Sequence, residues 1–347
     1  MKDPFPFPPL DWLSEKTQPW ADYFDLPTLP LHIHEVFAAA LLYSVVFWPF
    51  SPWISNLLAG EQYSKLPRKR RLNWDAHVVS MVQSCLINSL AIWVMFADTE
   101  LSSMDWEERI WGYTGGAGFI QALAAGYFLW DLIVTSFNLD VFGLGTLAHA
   151  VSALLVYSLG FVSLPRLSPL SVLTNPRQRP FLNHYACVFI LWELSTPFLN
   201  VHWFMDKLNM TGSRAQLYNG IMLLFTFFSC RLVYGTYSSY RVYSDVWAAI
   251  NAHPDMKTLM TPTMSFAHPD STVPMWIGAA YLASNITLNS LNFYWFFMMI
   301  RAVRKRFEPS SDSSAQIDES PVTEAEIDLS AVATGPSKVS GGRRRKA

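Results

Sequence analysis

Four ionisable residues stand in stretches of this sequence that are otherwise apolar: Asp131, His149, Glu193 and Arg231. Their types allow two kinds of chemistry. An imidazole beside a carboxylate, His149 with Asp131, can take up a proton and pass it on, which is general-base work. A carboxylate beside a guanidinium, Glu193 with Arg231, can form a neutral pair or hold a polar group of a ligand. Asn200, Trp203, Asn285 and Asn289 add amide and indole hydrogen-bonding groups to the same stretches. Asn285, Asn289 and Asn292 are spaced i, i+4, i+7, so they share one face of a helix and should turn inward. No phosphate-binding glycine loop, Cys-x-x-Cys, His-Glu-x-x-His or nucleophile elbow accompanies them, so neither a metal nor a cofactor is expected.

These residues matter because of where they sit. The chain has 347 residues, of which 51% are hydrophobic, 15% aromatic and only 15% charged. A soluble domain carries about 25% charged residues. The charges cluster near the N-terminus, in short connections and after Arg301, which leaves seven long apolar stretches. Their approximate limits are 35–58, 77–96, 112–137, 141–164, 181–205, 215–240 and 275–300. Uncharged runs of roughly 18 or more residues read as membrane-spanning helices. The fold class expected is an all-α membrane protein, a bundle of about seven transmembrane helices. Pro49 and Pro52 predict a kink or an early end in the first span. Gly118, Ala122 and Gly126 form a small-xxx-small row that lets another helix approach closely. Cys85, Cys187 and Cys230 fall inside spans and suggest no disulfide framework.

Counting along the helices places the polar residues by depth. Glu193 lies ~18 Å from the lumenal end of the fifth span and Arg231 ~14 Å from that of the sixth. A charge in hydrocarbon needs a partner, so these two are expected to pair. Asp131 and His149 lie about 9 and 12 Å from the cytoplasmic ends of the third and fourth spans, and they too could meet. The simplest reading of both pairs is structural, as internal struts. The functional reading is a polar cavity within the bundle.

Orientation comes from the basic residues. Lys65, Arg68, Lys69, Arg70 and Arg71 precede the second span, and Arg301, Arg304, Lys305 and Arg306 follow the seventh. Seven crossings put both groups on one side, read as cytoplasmic. Glu100, Asp105, Glu107 and Glu108 fall on the opposite side, and Arg166, Arg177 and Arg179 are the exception there. The N-terminus opens with Asp3, Pro4, Pro6, Pro8 and Pro9, which is not a signal-peptide pattern, so the first span is expected to serve as the targeting signal. Residues 304–347 are expected to be a disordered cytoplasmic tail, rich in Ser and acids and ending in Arg343, Arg344, Arg345 and Lys346. Basic runs that hug the membrane argue against nucleic-acid binding.

From about Leu66 to Asn251 the chain resembles the TLC domain, shared by ceramide synthases and several lipid-regulating membrane proteins. The residues that carry the resemblance are Arg68-Lys69-Arg70-Arg71, Gly126-Tyr127-Phe128-x-x-Asp131 and His149-Ala150-Val151-Ser152. Next come Glu193-Leu194-Ser195-Thr196-Pro197-Phe198-x-Asn200 with Trp203, and then Arg231. The string from Glu193 is the most specific and looks like the branch of the family outside the ceramide synthases. Those enzymes carry adjacent histidines in the fourth span, where this chain has Ala148-His149. Their His-Asp with a further Asp is met here by Trp192-Glu193 and Thr196. The resemblance divides the chain into an N-terminal segment 1–34, a first helix 35–65, a TLC-like domain 66–303 and the tail. It implies a non-catalytic protein of the endoplasmic reticulum whose partners are membrane lipids and which acts in lipid homeostasis. The alternative it implies is an acyl-CoA-dependent N-acyltransferase using His149 and Asp131.

Overall fold

The computed structural model describes residues 1–23, 26, 28–161, 181–267, 269 and 271–307. Arg166, Arg177, Arg179 and the tail from residue 308 lie outside them. The described residues are helical without a strand. The principal helices are α1 (Asp11–Tyr23), α2 (Leu29–Ala59), α3 (Arg68–Ala97), α4 (Gly115–Phe137), α5 (Leu139–Leu159), α6 (183–207), α7 (Arg214–Ile250) and α8 (Met275–Phe307). Five of them, α2, α3, α4, α5 and α7, are long and apolar enough to cross a membrane. The other two expected crossings, 181–205 and 275–300, are the helices α6 and α8. Each interrupts its apolar run with amides, and α6 adds Glu193 and His202.

Several limits differ from the sequence reading, each for a local reason. α2 starts at Leu29 rather than 35, with Pro30 in its first turn, where the missing N–H costs nothing. The expected kink is present: Val46–Phe50 is a π turn holding Pro49, Trp48 leaves helical geometry, and the helix resumes at Ser51. α3 starts at Arg68 after Pro67, well before 77, so the basic run forms its exposed first turn. α7 continues to Ile250 instead of stopping at 240, and its last turns bury Val242, Asp245, Val246 and Ala249, with Asp245 bonded to Arg109.

α4 is the innermost helix. Of its apolar stretch 72% is buried, against 22–39% for the other four spans. Its glycines explain this. A methyl group at Gly126 would lie 2.4 Å from the Val36 carbonyl oxygen and 2.7 Å from Ala39 Cβ, so α2 can lie against α4 only where the side chain is absent. The outer surfaces of the bundle carry large bare apolar side chains, among them Leu41, Phe96, Phe137, Phe225 and Phe297. In water such a surface would associate; in hydrocarbon it is the ordinary contact with lipid.

Contacts between helix ends show the alternation that orientation requires. Lys69 at the start of α3 pairs with Asp140 at the start of α5 at 2.6 Å. At the opposite end, the short helix Trp106–Trp111 is tied to the close of α7 by Arg109, whose Nε and Nη2 donate to the two oxygens of Asp245 at 2.8 and 3.0 Å. The Asn209-Met210-Thr211 sequon therefore lies between α6 and α7, at the same end as Arg68–Arg71. If that end is cytoplasmic, Asn209 carries no glycan. Neither does Asn285 of Asn285-Ile286-Thr287, which is buried in α8 and accepts a hydrogen bond from Tyr243. Treatment with a glycosidase should leave electrophoretic mobility unchanged. A shift abolished by Asn209→Gln would reverse the orientation.

Candidate intramembrane cavity

The site forms where two helices depart from α geometry. In α6, Pro197 has no N–H to give the Glu193 carbonyl, so residues Ile190–Ser195 wind as a tighter 3-10 turn whose Glu193 oxygen accepts from Thr196 instead. In α7, Phe227–Tyr234 widens into a π turn that turns Arg231 toward α6. The two stretches come very close at Gly235, where a methyl group would lie 2.2 Å from Trp192 Nε1.

Arg231 is buried and held on every side. Its Nε donates to Ser195 Oγ at 3.1 Å, Nη1 to Asn292 Oδ1 at 3.0 Å, and Nη2 to Thr196 Oγ1 at 3.0 Å and Glu193 Oε1 at 3.4 Å. The pair expected from depth alone is formed. The hydroxyls and the Asn292 amide contribute more of the geometry than the carboxylate does, because the Glu193 contact is the longest of the four.

Glu193 and Arg231 lie on the wall of a cavity of about 280 Å³ bounded by α3, α4, α5, α6, α7 and α8. Its other lining residues come from the half of the bundle that carries Arg68–Arg71. Tyr127, Trp130, Phe142, Leu199, Phe227, Trp295 and Met299 give it apolar walls. Asp131, His149, Asn200 and Trp203 of the sequence reading also line it. Asn200 Oδ1 bonds His77 Nδ1 at 2.7 Å, and its Nδ2 donates to Ser80 Oγ at 3.0 Å. Trp203 lies flat on the His77 ring, with centroids 4.0 Å apart and planes at 19°.

Asp131 and His149 share the cavity without bonding each other. Asp131 Oδ1 accepts from Thr135 Oγ1 at 3.4 Å, one turn along its own helix. His149 is held by rings: Phe128 edge-on at 5.9 Å and Trp295 at 5.6 Å. Its Nδ1 has no hydrogen-bond partner among the described residues. A general base needs an orienting group on its second nitrogen, and this geometry supplies none.

Asn285 and Asn289 are outside the cavity. Asn289 Nδ2 donates to Ser239 Oγ at 2.9 Å and to Asn285 at 2.9 Å, so both residues join α8 to α7. Only the third amide of that stripe, Asn292, serves the site, through Arg231. Sequence reasoning missed His77, placing it at the very edge of a span. The signal was there: Asn73, His77 and Ser80 repeat the i, i+4, i+7 spacing of the α8 amides, and all three line the cavity.

Fold and site define a class: a multi-pass helical membrane protein with an amphipathic cavity that has a buried arginine in its wall. The model of the TLC domain matches residues 73–301, and the chain belongs to the TLC-domain family. The match extends into α8 as far as residue 301, beyond the 66–251 stretch in which the motifs are legible. An uncharacterized TLC domain-containing protein of Schizosaccharomyces pombe is 37% identical over 294 residues, covering 85% of this chain and 86% of the relative. Topoisomerase I damage affected protein 4 of Saccharomyces cerevisiae is 22% identical over 288 residues, 81% of this chain and 88% of its own. TLC domain-containing protein 4-B of Danio rerio is 25% identical over 253 residues, 72% and 80%. These relatives belong to the branch outside the ceramide synthases. No solved structure matches the chain.

Proposed function

We propose that this protein binds a membrane lipid in the cavity between α3 and α8 and acts, without catalysis, in lipid homeostasis of the endoplasmic reticulum. The observation that carries this reading is the composition of the cavity wall. Aromatic and aliphatic side chains suit an acyl chain, while Arg231, Glu193, Asp131, His149 and Asn200 offer a headgroup hydrogen bonds and charge at membrane depth. Family membership supports a lipid-related role. Native mass spectrometry of protein purified in mild detergent tests the reading. A bound lipid should be retained, and Ala76→Phe, which pushes a ring into the cavity, should reduce its occupancy roughly tenfold, the equivalent of about 1.4 kcal/mol. A protein that carries no lipid under any extraction condition would end the proposal.

A second reading is favoured by one observation, that His149 and Asp131 lie on the same cavity wall. In an acyl-CoA-dependent N-acyltransferase, His149 would take the proton of an amine attacking a thioester. His149→Gln separates the two. In a binding protein the variant folds and keeps both its lipid and its effect on the lipidome. Acyl-CoA turnover with a sphingoid base that is present in wild type and absent in a folded His149→Gln protein would establish the enzyme instead.

A further inference from the structure

At the end of the bundle away from the cavity, residues far apart in the chain bring three potential metal-ligand atoms together. The N-terminal segment runs back over α2 and α4: the Gly115 N–H donates to the Met1 carbonyl at 3.0 Å, and Phe5 packs edge-on against His34 at 5.1 Å. This lays Asp3 beside the first turns of α2. There His32 Nδ1 is 2.9 Å from Glu35 Oε1 and 3.5 Å from Asp3 Oδ2, and ligand atoms of the three residues all lie within 4.8 Å of one another.

We propose that Asp3, His32 and Glu35 form a site for a divalent transition-metal ion, zinc by preference, that clips the N-terminal segment to α2. Four features support it. First, ligands bonded to zinc at about 2.0–2.2 Å stand on the order of 3.4 Å apart in a tetrahedron, and the two contacts of His32 Nδ1 bracket that spacing. Second, Glu35 is 0% exposed; its Oε1 is hydrogen-bonded to His32 Nδ1, and its Oε2 has no hydrogen-bond partner among the described residues. A buried carboxylate requires a partner, and no Lys or Arg among the described residues pairs with Asp3 or Glu35. Third, the ring of His32 is set for coordination. Its Nε2 bonds Tyr113 Oη at 2.6 Å, which leaves Nδ1 facing the carboxylates, the usual outer-shell arrangement of a metal-bound imidazole. Gly118 makes room for that ring, since a methyl group there would lie 2.6 Å from His32 Nε2. Fourth, the side chain of Asp3 is 30% exposed, which gives an ion a way in and leaves a coordination position for water. One imidazole with two carboxylates is a borderline donor set that suits zinc better than calcium or magnesium.

The test uses full-length protein without a polyhistidine tag, purified in detergent. Metal analysis should find about one zinc per chain after equilibration with zinc alone and washing. Cobalt loaded in its place should give visible ligand-field bands. Glu35→Gln, which keeps the shape of the side chain, should lose the metal and those bands while eluting as a single species. If that variant fails to fold, Asp3→Asn, at the exposed edge, reads the same loss. A wild-type protein that holds neither zinc nor cobalt overturns the proposal, as does a folded Glu35→Gln and Asp3→Asn double variant that retains the full complement. Lipid occupancy of the cavity is independent of either outcome.

Discussion

Arg231→Met alone should be the most damaging single substitution in the bundle, at a cost of about 3–5 kcal/mol. The wild-type guanidinium gives hydrogen bonds to Ser195, Thr196, Asn292 and Glu193. Methionine fills similar space and satisfies none of them, so the buried groups of Glu193, Ser195, Thr196 and Asn292 lose their donor. Glu193→Gln removes only the longest of the four contacts, and its amide oxygen can still accept from Arg231. It should cost less than Arg231→Met, a ranking that mere depth matching does not supply. Removing both charges in Glu193→Leu with Arg231→Met should recover much of the loss, because no lone charge remains. A charge-swapped pair should recover less, since the cradle of Ser195, Thr196 and Asn292 is shaped for a planar donor. The measurement is the amount of monodisperse protein and its unfolding midpoint in detergent. Wild-type stability in Arg231→Met would mean that the buried network contributes nothing.

Gly126→Leu should come second, with Gly126→Ala milder. Even alanine puts a carbon 2.4 Å from a backbone oxygen of α2, and backbone cannot swing aside as a side-chain tip can. Overpacking of this kind costs about 1–3 kcal/mol. Leucine would push α2 away from α4 and should lower the yield of folded protein further than alanine does. Gly145→Ala is the control. Nothing lies within 4 Å of a methyl group there, and the position is in the first turn after the break of α5 at Gly143, so the variant should be close to neutral. Thermal scans of the purified variants decide it. Equal midpoints for Gly126→Ala and Gly145→Ala would show that α2 and α4 do not pack as described.

The membrane character and helical class were legible in the residues, because long uncharged apolar runs admit few other structures. So was the pairing of Glu193 with Arg231. An ionisable group in hydrocarbon must find a partner, and depth along a helix follows from a fixed rise per residue. Helix limits were less legible. Hydropathy marks where lipid stops, whereas backbone hydrogen bonding carries α7 on to Ile250 and starts α3 at Arg68.

Which residues face one another across the bundle was beyond the reach of the sequence. Position along a helix sets depth and face; the rotation of one helix against another is set by packing. The approach of α2 to α4 at Gly126 and of α7 to α6 at Gly235 fixes those rotations. With them fixed, His149 rests against Phe128 and Trp295 instead of meeting Asp131. His77 bonds Asn200 from a helix more than a hundred residues away in the chain, at 2.7 Å. The α8 amides all reach α7 but part in role: Asn285 and Asn289 meet Tyr243 and Ser239, and Asn292 meets Arg231 at the cavity. Asp3, in a segment with no helical period to place it, reaches His32 only because the chain folds back over Gly115. Each of these contacts joins residues distant in sequence, and their energy depends on distances of a few ångströms that only close packing of the whole bundle defines.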